Sequence, residues 1–219
     1  MKENLEYLKD VLGVRYVGKT KKKAKTASKK YLSQKLEDKT LNQVAATVSG
    51  CQDCKLCKTR TNTVFGSGSN KARLMFIGEG PGADEDAQGL PFVGRAGQLL
   101  TKMIEAMGLQ RSEVYIANVV KCRPPENRKP EKDEVEACEG FLFKQIELIK
   151  PDLMIALGAT AMECLLKTEE KIGQKRGQIL DYRDRKLLIT YHPAYLLRNP
   201  PAKKYVWDDL KVAMKFLGL

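Results

Sequence analysis

Residues 74–100 read LMFIGEGPGADEDAQGLPFVGRAGQLL, an apolar run that ends on closely spaced glycines, passes through an acidic stretch and resumes with helical spacing. A continuous apolar run closed by Gly is the pattern of a strand buried on both faces, as in a parallel sheet. The same pattern recurs at Val114–Val120, Leu153–Leu157 and Leu187–Ile189. Between these runs, Gly97–Met107 is helical and stops at Gly108, and Glu131–Ile149 is a long amphipathic helix stopped before Pro151. Ala159–Leu166 is a short helix, and Pro201–Phe216 closes the chain. The β-α-β-α order predicts an α/β fold with helices on both faces of a parallel sheet. Ile179–Tyr182 adds a hairpin arm ahead of Leu187, with Arg183–Lys186 as its turn.

The chain has 219 residues, 42% hydrophobic and 30% charged, which suits one α/β domain with an appendage. No apolar run approaches the roughly 20 residues of a membrane span. The N-terminal MKENLEYLKDVLG lacks the apolar core of a secretory signal, so a cytoplasmic location is expected. A net charge of +12 favours a polyanionic partner, nucleic acid first. The first 50 residues hold twelve Lys or Arg against five Asp or Glu. Residues 1–48 therefore read as a lysine-rich extension, either a solvated flexible segment or a DNA-engaging arm, and residues 49–219 as the folded domain.

The six cysteines are Cys51, Cys54, Cys57, Cys122, Cys138 and Cys164. In a cytoplasmic chain, clustered cysteines point to metal or redox chemistry before disulfides. CQDCKLC contains two overlapping C-x2-C pairs, Cys122 follows a strand, and Cys138 lies in a helix. Four such thiolates suit a tetrahedral zinc site or an iron-sulfur cluster. Cys164, between Met162 and Leu165, reads as a core residue.

Gly78, Gly80 and Gly82 resemble a dinucleotide fingerprint, but no helix is expected directly after them, and Asp84, Glu85 and Asp86 would repel a pyrophosphate. What remains is a glycine-lined surface at a strand's C-terminal end with Phe92 nearby, suited to a flat polar ring. Asn118, at the end of the second strand, offers an acceptor and two donors to a nucleobase edge. His192 is the only histidine and stands directly after the last strand. Tyr195, Leu196, Leu197 and Arg198 read as a loop that wedges a duplex and binds phosphate, or as an anchor for the final helix.

In order along the chain, CxxC, GEGPGADEDAQGLPFVGRAGQLL, NVVKCRPPENRKP and HPAYLLRNP closely resemble the family 4 uracil-DNA glycosylases over about Cys51–Leu219. The resemblance implies a three-layer uracil-DNA glycosylase-like fold with a central four-stranded parallel sheet. It also implies a [4Fe-4S] cluster held by Cys51, Cys54, Cys122 and Cys138, with Cys57 a departure that offers Cys54 and Cys57 as the alternative first pair. By the same resemblance, Glu79, Gly80 and Gly82 form the first pocket motif, Phe92 stacks on uracil and Asn118 reads its edge. His192 would donate to the base carbonyl, and Glu85 would stabilise the sugar cation and activate water, with Glu79 secondary. The implied substrate is uracil-containing DNA, single- or double-stranded, flipped out of the stack and acted on by a monomer. The resemblance does not cover the extension, which would engage either DNA or a repair-protein partner. The competing expectation is a non-catalytic iron-sulfur module for single-stranded or damaged DNA.

Overall fold

The computed structural model describes residues 36–219. Strands β1 (Ser67–Gly68), β2 (Leu74–Gly78), β3 (Tyr115–Asn118), β4 (Leu153–Leu157), β5 (Ile179–Tyr182) and β6 (Arg185–Thr190) form one sheet in the order β1-β3-β2-β4-β6-β5. The inner four are mutually parallel. They are the central four-stranded parallel sheet expected, and the two edge strands run antiparallel to their neighbours, β5 as the expected hairpin arm and β1 as an addition. β1 spans only Ser67 and Gly68, two residues without apolar character, and leaves no pattern to read. The hairpin arm forms where expected, with Arg183 at φ 54° in its turn.

Both faces of the sheet are covered, which explains the unbroken apolar runs. Met75, Ile77, Met154, Ala156, Leu187 and Ile189 face one side, packed under α1 (Leu41–Ser49), α4 (Lys132–Ile149) and α5 (Ala159–Leu166). Their alternates Leu74, Phe76, Ile155 and Leu188 face α3 (Arg95–Ala106) and α8 (Lys203–Leu217) on the other. The period of two along each strand sends neighbours to opposite cores. Three short helices complete the fold: α2 (Ala83–Gln88), α6 (Ile172–Lys175) and α7 (Pro193–Arg198). Among the described residues, no helix is long and apolar enough to cross a membrane.

Two local readings are corrected. A helix, α2, does open directly behind Gly82, because the Glu85 side chain returns to accept the Gly82 N–H at 3.0 Å. Asp84, Glu85 and Asp86 form its first turn, where carboxylates favour the helix dipole. Tyr195–Arg198 belong to α7, a helix opened by Pro193 at its first position, and not to a loop.

The helix α1 crosses the residue 48 boundary drawn from charge. It starts with a Thr40/Gln43 capping box and buries Val44 and Val48 in the core shared with α4. The lysine-rich run at 19–30 lies outside the described residues.

The long helix α4 depends on Glu134, which accepts the Glu131 N–H at 2.7 Å and pairs bidentately with Arg128 at 2.7 and 2.8 Å. The Arg128 guanidinium holds the Glu134 carboxyl below its ordinary range. Glu134→Ala removes a helix cap and leaves Arg128 without this partner, so denaturant unfolding should show a loss of about 2 kcal/mol. Because the folded carboxyl has the lower pKa, this contribution is present near neutral pH and fades as pH falls through the acid range.

Candidate active site and cysteine hollow

The parallel strands run in the spatial order β3-β2-β4-β6, so the chain reverses direction across the sheet at β2. Clefts form at such switch points beyond the strands' C-terminal ends. Here a cleft of about 470 Å³ opens beyond β2, β3, β4 and β6, lined by Glu79, Gly80, Phe92, Asn118, Gly158 and His192 among others. Gly82, Glu85, Tyr195 and Arg198 border the same space. Residues read from three separated motifs thus meet in one place.

The cleft's floor requires the absence of a side chain at Gly78. A Cβ there would lie 2.4 Å from Asn118 Oδ1 and 2.5 Å from Phe92 Cζ. Asn118 is buried, and its Oδ1 is the only buried side-chain oxygen or nitrogen without a partner among the described residues. Such an orphan is costly unless a ligand supplies the bond.

Phe92 is buried at φ 54°, a backbone region costly for an aromatic residue. Three features hold it. Arg111 donates to the Pro91 carbonyl on one side, and Glu85 Oε1 accepts the Val93 and Gly94 N–H groups at 2.8 and 2.9 Å on the other. Gly97 leaves room beneath, since a Cβ there would sit 1.9 Å from the Phe92 carbonyl oxygen. The Phe92 ring lies 5.5 Å from that of His192.

The carboxylate of Glu85 therefore accepts three main-chain N–H bonds, from Gly82, Val93 and Gly94. These bonds engage both of its oxygens, so Glu85 clamps the loop as well as bordering the cleft. Among the described residues Glu79 engages only Oε2, which accepts from the Thr160 hydroxyl at 2.5 Å, and its carboxylate lines the cleft.

His192 caps α7, its Nδ1 accepting the Ala194 N–H at 3.1 Å. That bond assigns the proton of the neutral ring to Nε2. Burial, reinforced by the Arg198 charge and opposed by Glu85, pushes its pKa down to about 4. On α7, Tyr195 and Leu197 are 37% and 38% exposed, whereas Leu196 is 1% exposed and packed in the core. Leu196 is thus an anchor for the fold and not a surface wedge.

Thr160, Asn127 and Lys129 also line the cleft and were not singled out in the sequence. Thr160 lies in an apolar helix, where nothing local marks it. Asn127 sits beside Glu126 in consecutive left-handed conformations, at φ 56° and 54°, within the basic loop.

A second, smaller hollow lies on the α4 side of the sheet. Cys51, Cys54, Cys57, Cys122 and Cys138 line it together, while Cys164 is a buried core residue outside it. The first two follow α1, Cys57 sits in a 3-10 turn at Lys55–Lys58, Cys122 follows β3, and Cys138 lies in α4. Arg60 donates to Cys122 Sγ at 3.1 Å and to the Cys51 carbonyl at 2.8 Å, and the Lys121 N–H reaches Cys138 Sγ at 3.2 Å. Burial pushes the Cys51 thiol up to about 11 and raises those of Cys54, Cys122 and Cys138. Burial disfavours the thiolates, the Arg60 guanidinium at Cys122 and the Lys121 N–H at Cys138 offset part of that cost, and a bound cationic centre would supply the rest. Among the described residues, no three Cys, His, Asp or Glu side chains converge on the point a single metal ion would need.

The family profile described as "Uracil DNA glycosylase superfamily" matches residues 65–211. A type-4 uracil-DNA glycosylase of Saccharolobus solfataricus is 48% identical over 81% of this chain and 87% of its own length. A type-4 uracil-DNA glycosylase of Thermotoga maritima is 46% identical over 80% of this chain and 93% of its own. A third, from Archaeoglobus fulgidus, is 39% identical over 82% and 94%. The chain belongs to the uracil-DNA glycosylase superfamily and, within it, to the type-4 enzymes.

The lone histidine makes one prediction direct. An NMR titration should show the His192 ring neutral from pH 8 down to about 5, and Arg198→Ala should raise its pKa. As pH drops from 6.5 towards 4, the unfolded chain takes up the proton that folded His192 refuses, so this residue lowers stability over that window.

Proposed function

We propose that this protein removes uracil from DNA by hydrolysing the N-glycosidic bond of a flipped-out nucleotide, initiating base excision repair. The observation that carries the reading is the unpartnered, buried Asn118 Oδ1 in a cleft shared with Phe92 and His192. The uracil edge offers an N3–H donor beside the O4 acceptor, which match the oxygen and NH₂ of the Asn118 amide. Cytosine presents the opposite pattern at both positions, so pairing it would leave buried polar groups unmatched.

In this reading Phe92 stacks on the base, and Gly80 and Gly82 let main chain approach it. As the bond to the sugar lengthens, charge builds on the uracil carbonyl and the sugar gains cationic character. His192 donates its Nε2 proton to O2 as a neutral hydrogen-bond donor, which its depressed pKa supports. Glu79, oriented by Thr160, faces the sugar and positions the attacking water. Glu85 contributes its charge and holds the loop. Tyr195 and Leu197 fill the space left by the flipped nucleotide while Arg198 contacts the backbone. The enzyme acts as a monomer, and the lysine-rich extension adds salt-sensitive DNA affinity or a site for a repair partner.

The hollow fits a [4Fe-4S] cluster in its donor chemistry: buried and half-buried thiols from three chain segments, with N–H and guanidinium donors for the anionic assembly of cluster and thiolates. Cys51, Cys54, Cys122 and Cys138 are the ligands in this reading. When bound, the cluster would cross-link the segment before β1 to α4 and the loop after β3, without a redox step in the reaction.

Release of free base from oligonucleotides carrying uracil, thymine, hypoxanthine or cytosine at one position tests the activity. Uracil release is expected. Tight DNA binding without release of any base would replace the enzyme by a non-catalytic DNA-binding module. His192→Ala should lower the cleavage rate by about 10²–10⁴ while DNA affinity stays within about twofold. For the cluster, iron analysis and absorbance near about 400 nm should survive Cys57→Ser and be lost in Cys122→Ser. Retention of iron in both variants would reject this ligand set.

A further inference from the structure

We infer that Lys121 is a positioning residue for base recognition: its buried ammonium fixes the strand end that carries Asn118, while its own main-chain N–H is held by Cys138. The inference rests on the reading of Asn118 as the residue that recognises the base.

Lys121 is 1% exposed, an unusual place for an ammonium. Its Nζ donates to the Asn118 carbonyl at 2.7 Å and to Gln145 Oε1 at 2.6 Å, with the Phe65 ring centroid 5.9 Å away. Gln145 is itself fixed, its Nε2 donating to the Phe65 carbonyl at 2.9 Å and to the Tyr115 hydroxyl at 3.1 Å. The bridge therefore runs from α4 through Lys121 to the last residue of β3. A methionine would fill similar volume without the desolvation cost of a charge. What the lysine adds is a directed, charge-assisted bond to the main chain of Asn118.

That bond matters because Asn118 Oδ1 has no protein partner to orient it. The amide's aim is then set by its backbone and by the space that Gly78 leaves open beside it. The strand end is fixed at several points: Val119 N–H meets the Gly78 carbonyl at 2.9 Å, Val120 N–H meets that of Glu79 at 3.1 Å, and the Lys121 carbonyl accepts from Val64 at 2.8 Å. The Lys121 N–H to Cys138 Sγ contact, at 3.2 Å, places the thiol hollow on the same short segment. One residue thus braces the base-reading amide and touches the cysteine site.

The test uses the full-length, iron-loaded protein and four readouts: inhibition by free uracil, cleavage rate, affinity for abasic-site DNA, and iron content. Lys121→Met should weaken uracil inhibition about tenfold and lower the cleavage rate by at least as much, with abasic-site affinity within about twofold and iron unchanged. Gln145→Leu, which removes the far anchor, should shift uracil inhibition in the same direction by about threefold, and the double variant should not exceed Lys121→Met. Unchanged uracil inhibition in folded, iron-replete Lys121→Met overturns the inference; should that variant fail to fold, unchanged inhibition in Gln145→Leu does so. Loss of inhibition in proportion to lost iron would assign Lys121 to the cysteine site instead. Asn118→Ala serves as the reference: its loss of uracil inhibition without one in Lys121→Met removes this role alone, whereas intact inhibition in Asn118→Ala removes the base-reading assignment and this role together.

Discussion

Three main-chain N–H groups converge on the carboxylate of Glu85, from Gly82 on one side and from Val93 and Gly94 on the other. These bonds close the loop between β2 and α3 into a fixed shape, cap α2, and hold Phe92 in a conformation its backbone would otherwise avoid. A single side chain does work usually divided among several turns. Charge-assisted bonds to N–H groups are about twice as strong as neutral ones, which makes a carboxylate suited to offsetting strain of about 1–3 kcal/mol at a residue like Phe92. The cleft's aromatic wall follows from that clamp, and its polar wall from the strand ends opposite.

The same economy governs the other half of the molecule. The segment from Asn118 to Cys122 leaves β3, passes the ends of β2, and reaches the cysteine hollow within four peptide bonds. Its first residue faces the cleft and its last faces the thiols. Arg60 and Lys121 place cationic or N–H donors on the sulfurs. The two sites are therefore separate in chemistry and continuous in backbone.

Much of this was legible in the sequence. The four inner strands announced themselves because burial on both faces demands unbroken apolar runs, and Leu153–Leu157 and Ala159–Leu166 coincide with the observed elements. The cleft residues were legible because they follow strand ends, where a parallel sheet gathers them. What escaped was set by contacts distant in sequence or by side chains acting on main chain. Glu85 stood out by its charge, but its clamp on Val93 and Gly94 lies beyond a turn whose shape the sequence does not display. Leu196 and Leu197 are adjacent and chemically identical, and only the helical geometry of α7 decides that one is buried and the other exposed. Thr160 gained its role from Glu79, 81 residues away in the chain.

The margins of the sheet carry a consequence for its company in solution. One margin is β1, only Ser67 and Gly68 long. The other is β5, four residues ending at a tight turn, with Asp181 paired to Lys186 across the hairpin at 2.5 Å. A foreign strand needs a long, flat run of unpaired main-chain groups to register against, and charged, short margins offer a poor template. The sheet is closed to lateral growth without being a barrel, so stray β-pairing at high concentration or after heating has little purchase on the folded unit.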